Sequence, residues 1–246
     1  MRNIKLTIQY DGTNYAGWQF QKNAKAIQEV IEACLKKLTG EEVSLIGSGR
    51  TDAGVHAKGQ IANFKTGSLL PIKNIQKGLN TILPKDIVIT KIEEAALDFN
   101  SQRDARSKMY RYAISSGDFV DPFIRRFTAR CQYRLSIGYM KRGARYLLGR
   151  HDFRSFQTKD EGNSKNSAIR TVREIRIEKE GRLVYIYIEA DGFLYNMARS
   201  IVGTLIEVGR GRLKPDRIRD ILSKKDRRFC GPTAPAKGLC LMKVGY

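Results

Sequence analysis

Cysteine is sparse in this chain of 246 residues: Cys34, Cys131, Cys230 and Cys240 stand apart without a single CxxC pair. That spacing excludes a disulfide framework and a cysteine zinc site, and reduced thiols are expected. Histidine is scarcer still, with only His56 and His151, neither at metal-ligand spacing from cysteine or acid. No metal or other cofactor is expected. Long apolar runs are missing too, although the hydrophobic share of 41% suits a folded core. No run approaches the roughly 18 residues that span a bilayer, and Met1-Arg2-Asn3 leads straight into an alternating strand with no signal-peptide core. The expectation is a soluble, cytoplasmic protein.

Acid is the other shortage. Asp plus Glu number 25 against 45 Lys plus Arg, a net charge of +20. So large an excess exceeds what solubility needs and predicts a polyanionic partner. Residues 1–100 hold 13 basic and 10 acidic groups and residues 101–246 hold 32 and 15, so the second half should supply most of the electrostatic grip. The arginines are scattered through strands and helices rather than gathered in a basic amphipathic helix, which favours RNA over an anionic membrane.

Against this background, Gly47-Ser48-Gly49-Arg50-Thr51-Asp52-Ala53-Gly54-Val55-His56 sets one carboxylate among small residues. Glycines 47, 49 and 54 are expected to free the backbone for left-handed conformations and for close approach of a large ligand. Arg50, two positions before Asp52, is placed to hold the carboxylate ionised. A surface turn whose Asp caps its own backbone has the same composition.

The apolar pattern organises the chain around this loop. Ile4, Leu6, Ile8 and Tyr10 alternate as a first strand ending at Asp11-Gly12. Ile27, Val30, Ile31, Cys34, Leu35 and Leu38 share one helical face, and Gly40 stops that helix. Val43–Ile46 and Gln60–Lys65 read as strands flanking the Asp52 loop, followed by a helix from Pro71 to Leu83 with Ile72, Ile75, Leu79 and Ile82 inward. A strand at Ile87–Ile92 completes a β-α-β-β-α-β order. The same order returns with Met109–Ser115, a helix over Ile137–Leu148, a hairpin of Val172–Glu178 and Leu183–Glu189 turning at Glu180-Gly181, a helix over Leu194–Val208 and a strand at Gly238–Val244. A short helix, Asp216–Ser223, is added before the last strand. The fold class is α+β, with an N-terminal half at residues 1–104 and a basic C-terminal half at residues 105–246.

Four segments point to one family. Gly49-Arg50-Thr51-Asp52-Ala53-Gly54-Val55-His56 resembles the signature of the tRNA pseudouridine synthase A family, and Tyr10-Asp11-Gly12-Thr13-Asn14-Tyr15-Ala16-Gly17-Trp18-Gln19 resembles its opening segment. Gly192 to Gly203 is similar to its late helical motif, and Ala234 to Leu241 to its closing segment. The matches keep the family's order and run across nearly the whole chain. The resemblance implies two ferredoxin-like halves whose antiparallel sheets join and leave a central cleft into which the Asp52 loop projects. It also implies a homodimer that acts on the anticodon stem-loop of tRNA, at positions 38–40.

The reaction so implied breaks the C1′–N1 bond of a uridine and rejoins the uracil through C5, without redox change or energy input. Ionised Asp52 can start it by attacking C1′ or the uracil ring or by removing a ribose proton, and the sequence leaves these three open. The target nucleotide must first leave its stack. By resemblance Arg199 pairs with Asp52, Arg50 contacts or helps to flip the RNA, and Tyr110 is the active-site tyrosine. An aromatic face stacked on an unstacked base is worth about 1–3 kcal/mol. Tyr110 and Tyr112 alternate onto one face of their strand, so one of them can be ordinary core. Leu239 and Leu241 are candidates for an apolar wall beside the base, with plain core packing as the alternative. His56 reads as loop support rather than a general base. Two positions depart from the family pattern: Ala198, where a larger aliphatic residue is frequent, and the polar loop Thr158–Asn166. A non-catalytic basic RNA-binding or chaperone protein, or a hydrolase releasing uracil, would also suit the composition. A distant arginine aligned with a glycine-hedged aspartate favours catalysis.

Overall fold

The computed structural model describes residues 1–22, 24–117, 119–158 and 167–246. Its described residues hold ten strands and five helices and divide into two compact units, residues 1–106 with 240–246 and residues 107–239. The chain is therefore α+β.

In the first unit, β1 (Arg2–Tyr10), β3 (His56–Thr66), β4 (Ile87–Ala95) and β10 (Leu239–Gly245) run in the order β4-β1-β3-β10. β1 pairs antiparallel with both β3 and β4, whereas β10 is parallel to β3, with Cys240 opposite His56 and Leu241 opposite Ala57. The last seven residues thus pack with the first unit, although the sequence pattern groups them with the second half. Alternation along β1 buries Ile4, Leu6, Ile8 and Tyr10. Helix α1 (Ile27–Thr39) buries Ile27, Ile31, Cys34 and Leu35 on one stripe and ends where Gly40 turns to φ +75°. Helix α2 (Ile72–Ile82) buries Ile75 and Leu79, but Ile82, expected inward, is exposed at the end of the last turn.

The expected strand at Val43–Ile46 shrinks to β2, Ile46–Gly47, paired with β3. Side chains of α1 take the preceding backbone groups: Glu32 Oε1 accepts from the Leu45 N–H (2.8 Å) and Gln28 Nε2 donates to the Leu45 carbonyl (3.2 Å). Local hydrogen bonds to side chains compete here with a sheet ladder.

The second unit carries β5 (Ser107–Ser116), β8 (Ile169–Glu180), β9 (Leu183–Ala190) and β7 (Gly149–Asp152) in the order β5-β9-β8-β7, with β6 (Ala129–Cys131) parallel to part of β5. β6 and β7 have three and four residues, too short for a period-2 pattern to mark them. The β8–β9 hairpin turns through Gly181 at φ +57°.

Helix α3 (Ile137–Arg145) stops short of Leu148 because the N–H groups of Tyr146, Leu147 and Leu148 bond three residues back, a tightened final turn. Helix α4 (Met197–Gly209) begins later than Leu194, since Asn196 takes φ +60° and interrupts the helical backbone. Helix α5 (Arg217–Lys224) lies one residue beyond its expected span. Of the loop Thr158–Asn166, residues 159–166 lie outside the described residues.

Candidate active site

In the first unit the opening segment and the Asp52 loop, some forty residues apart in sequence, pack against each other. The Trp18 N–H donates to the Thr51 carbonyl (3.0 Å) and the Gly54 N–H to the Tyr15 carbonyl (3.3 Å). Tyr10 and Thr51 hydroxyls share a buried hydrogen bond of 2.8 Å, and the Tyr10 and Trp18 rings lie 6.2 Å apart. Burial pushes the Tyr10 phenol far above its ordinary range, so it stays a neutral strut. From the other side Gln60 closes the loop, accepting from the Ser48 hydroxyl (2.7 Å) and donating to the Gly49 carbonyl (2.9 Å).

The result is a sorting of side chains. Ser48, Thr51 and Val55 point inward and are buried; Arg50 and Ala53 are exposed, and Asp52 sits half-buried between them. Residues that hold the loop alternate with residues that face outward, so the position of Asp52 is set by a backbone fixed on both sides. The Val55 N–H also closes a turn onto the Asp52 carbonyl (3.1 Å).

The glycine expectation needs correction. Of the three loop glycines only Gly54 takes a positive φ, +76°. Close approach is served at Gly47, whose Cβ would fall 2.4 Å from Trp18 Nε1, and in the opening segment at Gly17, where at φ +100° a Cβ would lie 2.4 Å from the Thr51 carbonyl oxygen. The small residues therefore bring two pieces of the protein into contact around Asp52.

His56 is buried as β3 begins. Its Nδ1 lies 3.1 Å from the Gly12 nitrogen, whose N–H it accepts, and 3.1 Å from Asp11 Oδ1. Asp11 also accepts from the Thr13 N–H (3.0 Å), so the imidazole is a fixed part of the loop's base. Its place in that base accords with loop support.

In the second unit, Arg199 lies half-buried on α4. Its Nε donates to the Ala234 carbonyl (2.8 Å) and its Nη1 to Asn196 Oδ1 (2.7 Å), while the Ala234 N–H donates back to the Arg199 carbonyl (3.1 Å). Both of these acceptors are neutral oxygens, and together they fix the orientation of the guanidinium. Asn196, at the left-handed position opening α4, also reaches Thr158 Oγ1 (2.7 Å). Late motif and closing segment are thereby tied together, and a Cβ on Gly203 would fall 1.7 Å from the Pro232 carbonyl oxygen. Ala198 is buried in the same helix.

The two tyrosines of β5 share a face and differ in role. Tyr112 is wholly buried and donates its hydroxyl to the Pro235 carbonyl (2.8 Å); burial drives its phenol pKa up, against the opposing charge of Arg199. Tyr110 is 7% exposed and meets the edge of Phe193, ring centroids 4.9 Å apart and 87° between planes. Phe193 precedes α4 in the late motif, so its ring ties that motif to Tyr110. Leu239 and Leu241, at the start of β10, are both buried.

Sequence reasoning did not single out Tyr10, Trp18 or Gln60 as supports. Tyr10 and Trp18 lie inside the opening motif, and a buried glutamine in a strand, Gln60, is the residue a polar-satisfaction argument would question. Among the described residues no group of three or more His, Cys, Asp or Glu is placed to hold a metal ion. No described helix is long and apolar enough to cross a membrane.

Known proteins resemble this chain in sequence. A sequence profile described as tRNA pseudouridine synthase matches residues 6–102 and 144–246. The chain belongs to the tRNA pseudouridine synthase family, isomerases that convert uridine to pseudouridine in tRNA. It is 49% identical over 246 residues to the tRNA pseudouridine synthase A of Thermoanaerobacter sp. strain X514, covering 100% of both chains. The protein of the same name from Acetivibrio thermocellus and tRNA pseudouridine synthase A 2 of Clostridium perfringens are each 48% identical over the full length of both chains. A chain in the crystal structure of a Cbf5-Nop10-Gar1 complex superposes with a TM-score of 0.39 at 15% identity, over 98% of this chain and 58% of that one.

Proposed function

We propose that this isomerase acts on uridines 38–40 of the tRNA anticodon stem-loop, with Asp52 as the reacting carboxylate and no cofactor. The observation that supports Asp52 most is its setting: a half-buried carboxylate on a loop whose neighbours Thr51 and Val55 are clamped from both sides. A rigid backbone that presents one side chain outward suits a group that must meet C1′, the uracil ring or a ribose proton of a flipped nucleotide within a narrow geometry. Arg199, its guanidinium held by Ala234 and Asn196, is the cation that keeps Asp52 ionised. Arg50, exposed on the same loop, contacts the RNA during flipping. Tyr110 stacks on the uracil, and Leu239 and Leu241 form the apolar wall behind it. The protein works in the cytoplasm as a homodimer with one tRNA across both subunits, so that +20 per chain becomes a broad basic surface.

Asp52→Asn and Arg199→Met test this together. Asp52→Asn removes charge but little volume and should abolish single-turnover pseudouridine formation while tRNA binding persists. Arg199→Met should lower the rate at saturating tRNA more than the affinity. Activity in pure Asp52→Asn, free of deamidated protein, refutes the assignment, and an Arg199→Met protein that loses affinity yet keeps its saturated rate moves Arg199 to a phosphate contact.

A further inference from the structure

Lys108 lies two residues before Tyr110 on β5, and the unbroken register Lys108↔Ala190, Tyr110↔Ile188, Tyr112↔Ile186 puts all three on one face. Across that face, Val172 of β8 stands beside Ala190 and Arg170 lies two residues further along. Arg170 crosses to the late motif: a Cβ on Gly192 would lie 3.3 Å from its Nε, and its Nη1 donates to the carbonyls of Ser167 (2.7 Å) and Ile169 (2.6 Å). Among the described residues neither cation has an acidic partner. Asp191 Oδ1 accepts from the Thr171 N–H (3.0 Å) instead.

We propose that Lys108 and Arg170 form a phosphate anchor that seats the RNA backbone phosphate next to the target uridine while the base lies against Tyr110. This rests on the reading of Tyr110 given above. Two half-buried cations on one face of the sheet, with β9 between their strands, repel unless an anion lies between them, and a phosphate oxygen accepts from guanidinium and ammonium together. The position suits it, because residues i and i+2 of a strand stand about 7 Å apart, the scale that separates a nucleobase from its own phosphate. Burial and the charge of Arg170 both push the Lys108 pKa down, and an anion seated between the two cations would raise it again. The backbone contacts to Ser167 and Ile169 hold Arg170 in place before RNA arrives.

The experiment uses a synthetic anticodon stem-loop with uridines at 38–40, and the same RNA with a neutral methylphosphonate at one phosphate at a time. Affinity and single-turnover pseudouridine formation are both measured. Lys108→Met and Arg170→Gln should each weaken binding or slow turnover at subsaturating RNA by about tenfold, and Lys108→Arg should restore most of it. One methylphosphonate beside the modified uridine should cost the parental protein a similar factor and cost Lys108→Met nothing further. Losses that multiply at every position, or parental affinity and rate in both folded variants, overturn the anchor. A parental protein that shows the binding pattern but forms no pseudouridine refutes the reaction assigned under Proposed function and leaves the anchor standing.

Discussion

Gly17→Ala is the sharpest probe of how the Asp52 loop is held. Gly17 sits at φ +100°, and its missing Cβ would lie 2.4 Å from the Thr51 carbonyl oxygen and 3.1 Å from the Asp52 carbonyl carbon. Neither side can yield cheaply: the Gly17 carbonyl accepts from the Ile27 N–H (3.1 Å), and the Thr51 carbonyl accepts from Trp18 (3.0 Å). Backbone strain of this type costs about 1–3 kcal/mol and overpacking a further 1–3 kcal/mol or so. Gly40→Ala is the control, since Gly40 also takes a positive φ, +75°, but has nothing within 4 Å of its absent Cβ. It should lose only the conformational share, about 1–2 kcal/mol. Each kcal/mol lowers Tm by about 2–4 °C in a chain of this size, so Gly17→Ala should melt well below Gly40→Ala. The rate should separate them further. Pushing the Thr51 carbonyl aside displaces Asp52, and a displacement of about 1 Å costs on the order of a hundredfold, whereas Gly40→Ala leaves turnover unchanged. Thermal melts and single-turnover rates at saturating tRNA read both effects. If Gly17→Ala melts within about 2 °C of Gly40→Ala and keeps the parental rate, the contact does not position the loop.

Tyr112→Phe removes a buried hydroxyl from the Pro235 carbonyl and should cost about 1–3 kcal/mol of stability with little change in rate, whereas Tyr110→Ala should cut the single-turnover rate and Tyr110→Phe should separate stacking from the hydroxyl; a Tyr110→Ala protein at the parental rate removes that residue from the site. Gly203→Ala, aimed at the Pro232 carbonyl oxygen 1.7 Å away, should destabilise the second unit enough to lower soluble yield and Tm, and a normal melt would show that helix and closing segment can slide apart. Affinity for tRNA should fall steeply with salt through counterion release. Sedimentation of the RNA-free protein should find a dimer held by apolar contacts against the repulsion of two +20 chains; a flat salt dependence or a persistent monomer at micromolar concentration contradicts the respective claim.

What the sequence by itself determined is what depends on near neighbours. Period-2 and period-3.6 patterning located β1, α1, α2 and the β8–β9 hairpin because each element buries one face, and burial of that face is written residue by residue. The motifs nominated Asp52, Arg199 and Tyr110 as candidates because their types and order are distinctive. Tertiary structure decided what depends on distant partners. Val43–Leu45 lost its ladder to Glu32 and Gln28 of a packed helix, β6 and β7 exist only because a longer strand offers them an edge, and β10 joined the first unit through its pairing with β3. The glycine pattern shows the difference most clearly. Local flexibility explained Gly54, but Gly17 is required by a carbonyl some thirty residues away, a steric demand that no local pattern expresses. The same holds for Tyr112, buried to brace Pro235, and for Lys108 and Arg170, which lie far apart in the chain and come onto one face of the sheet because β9 pairs with β5 on one side and β8 on the other.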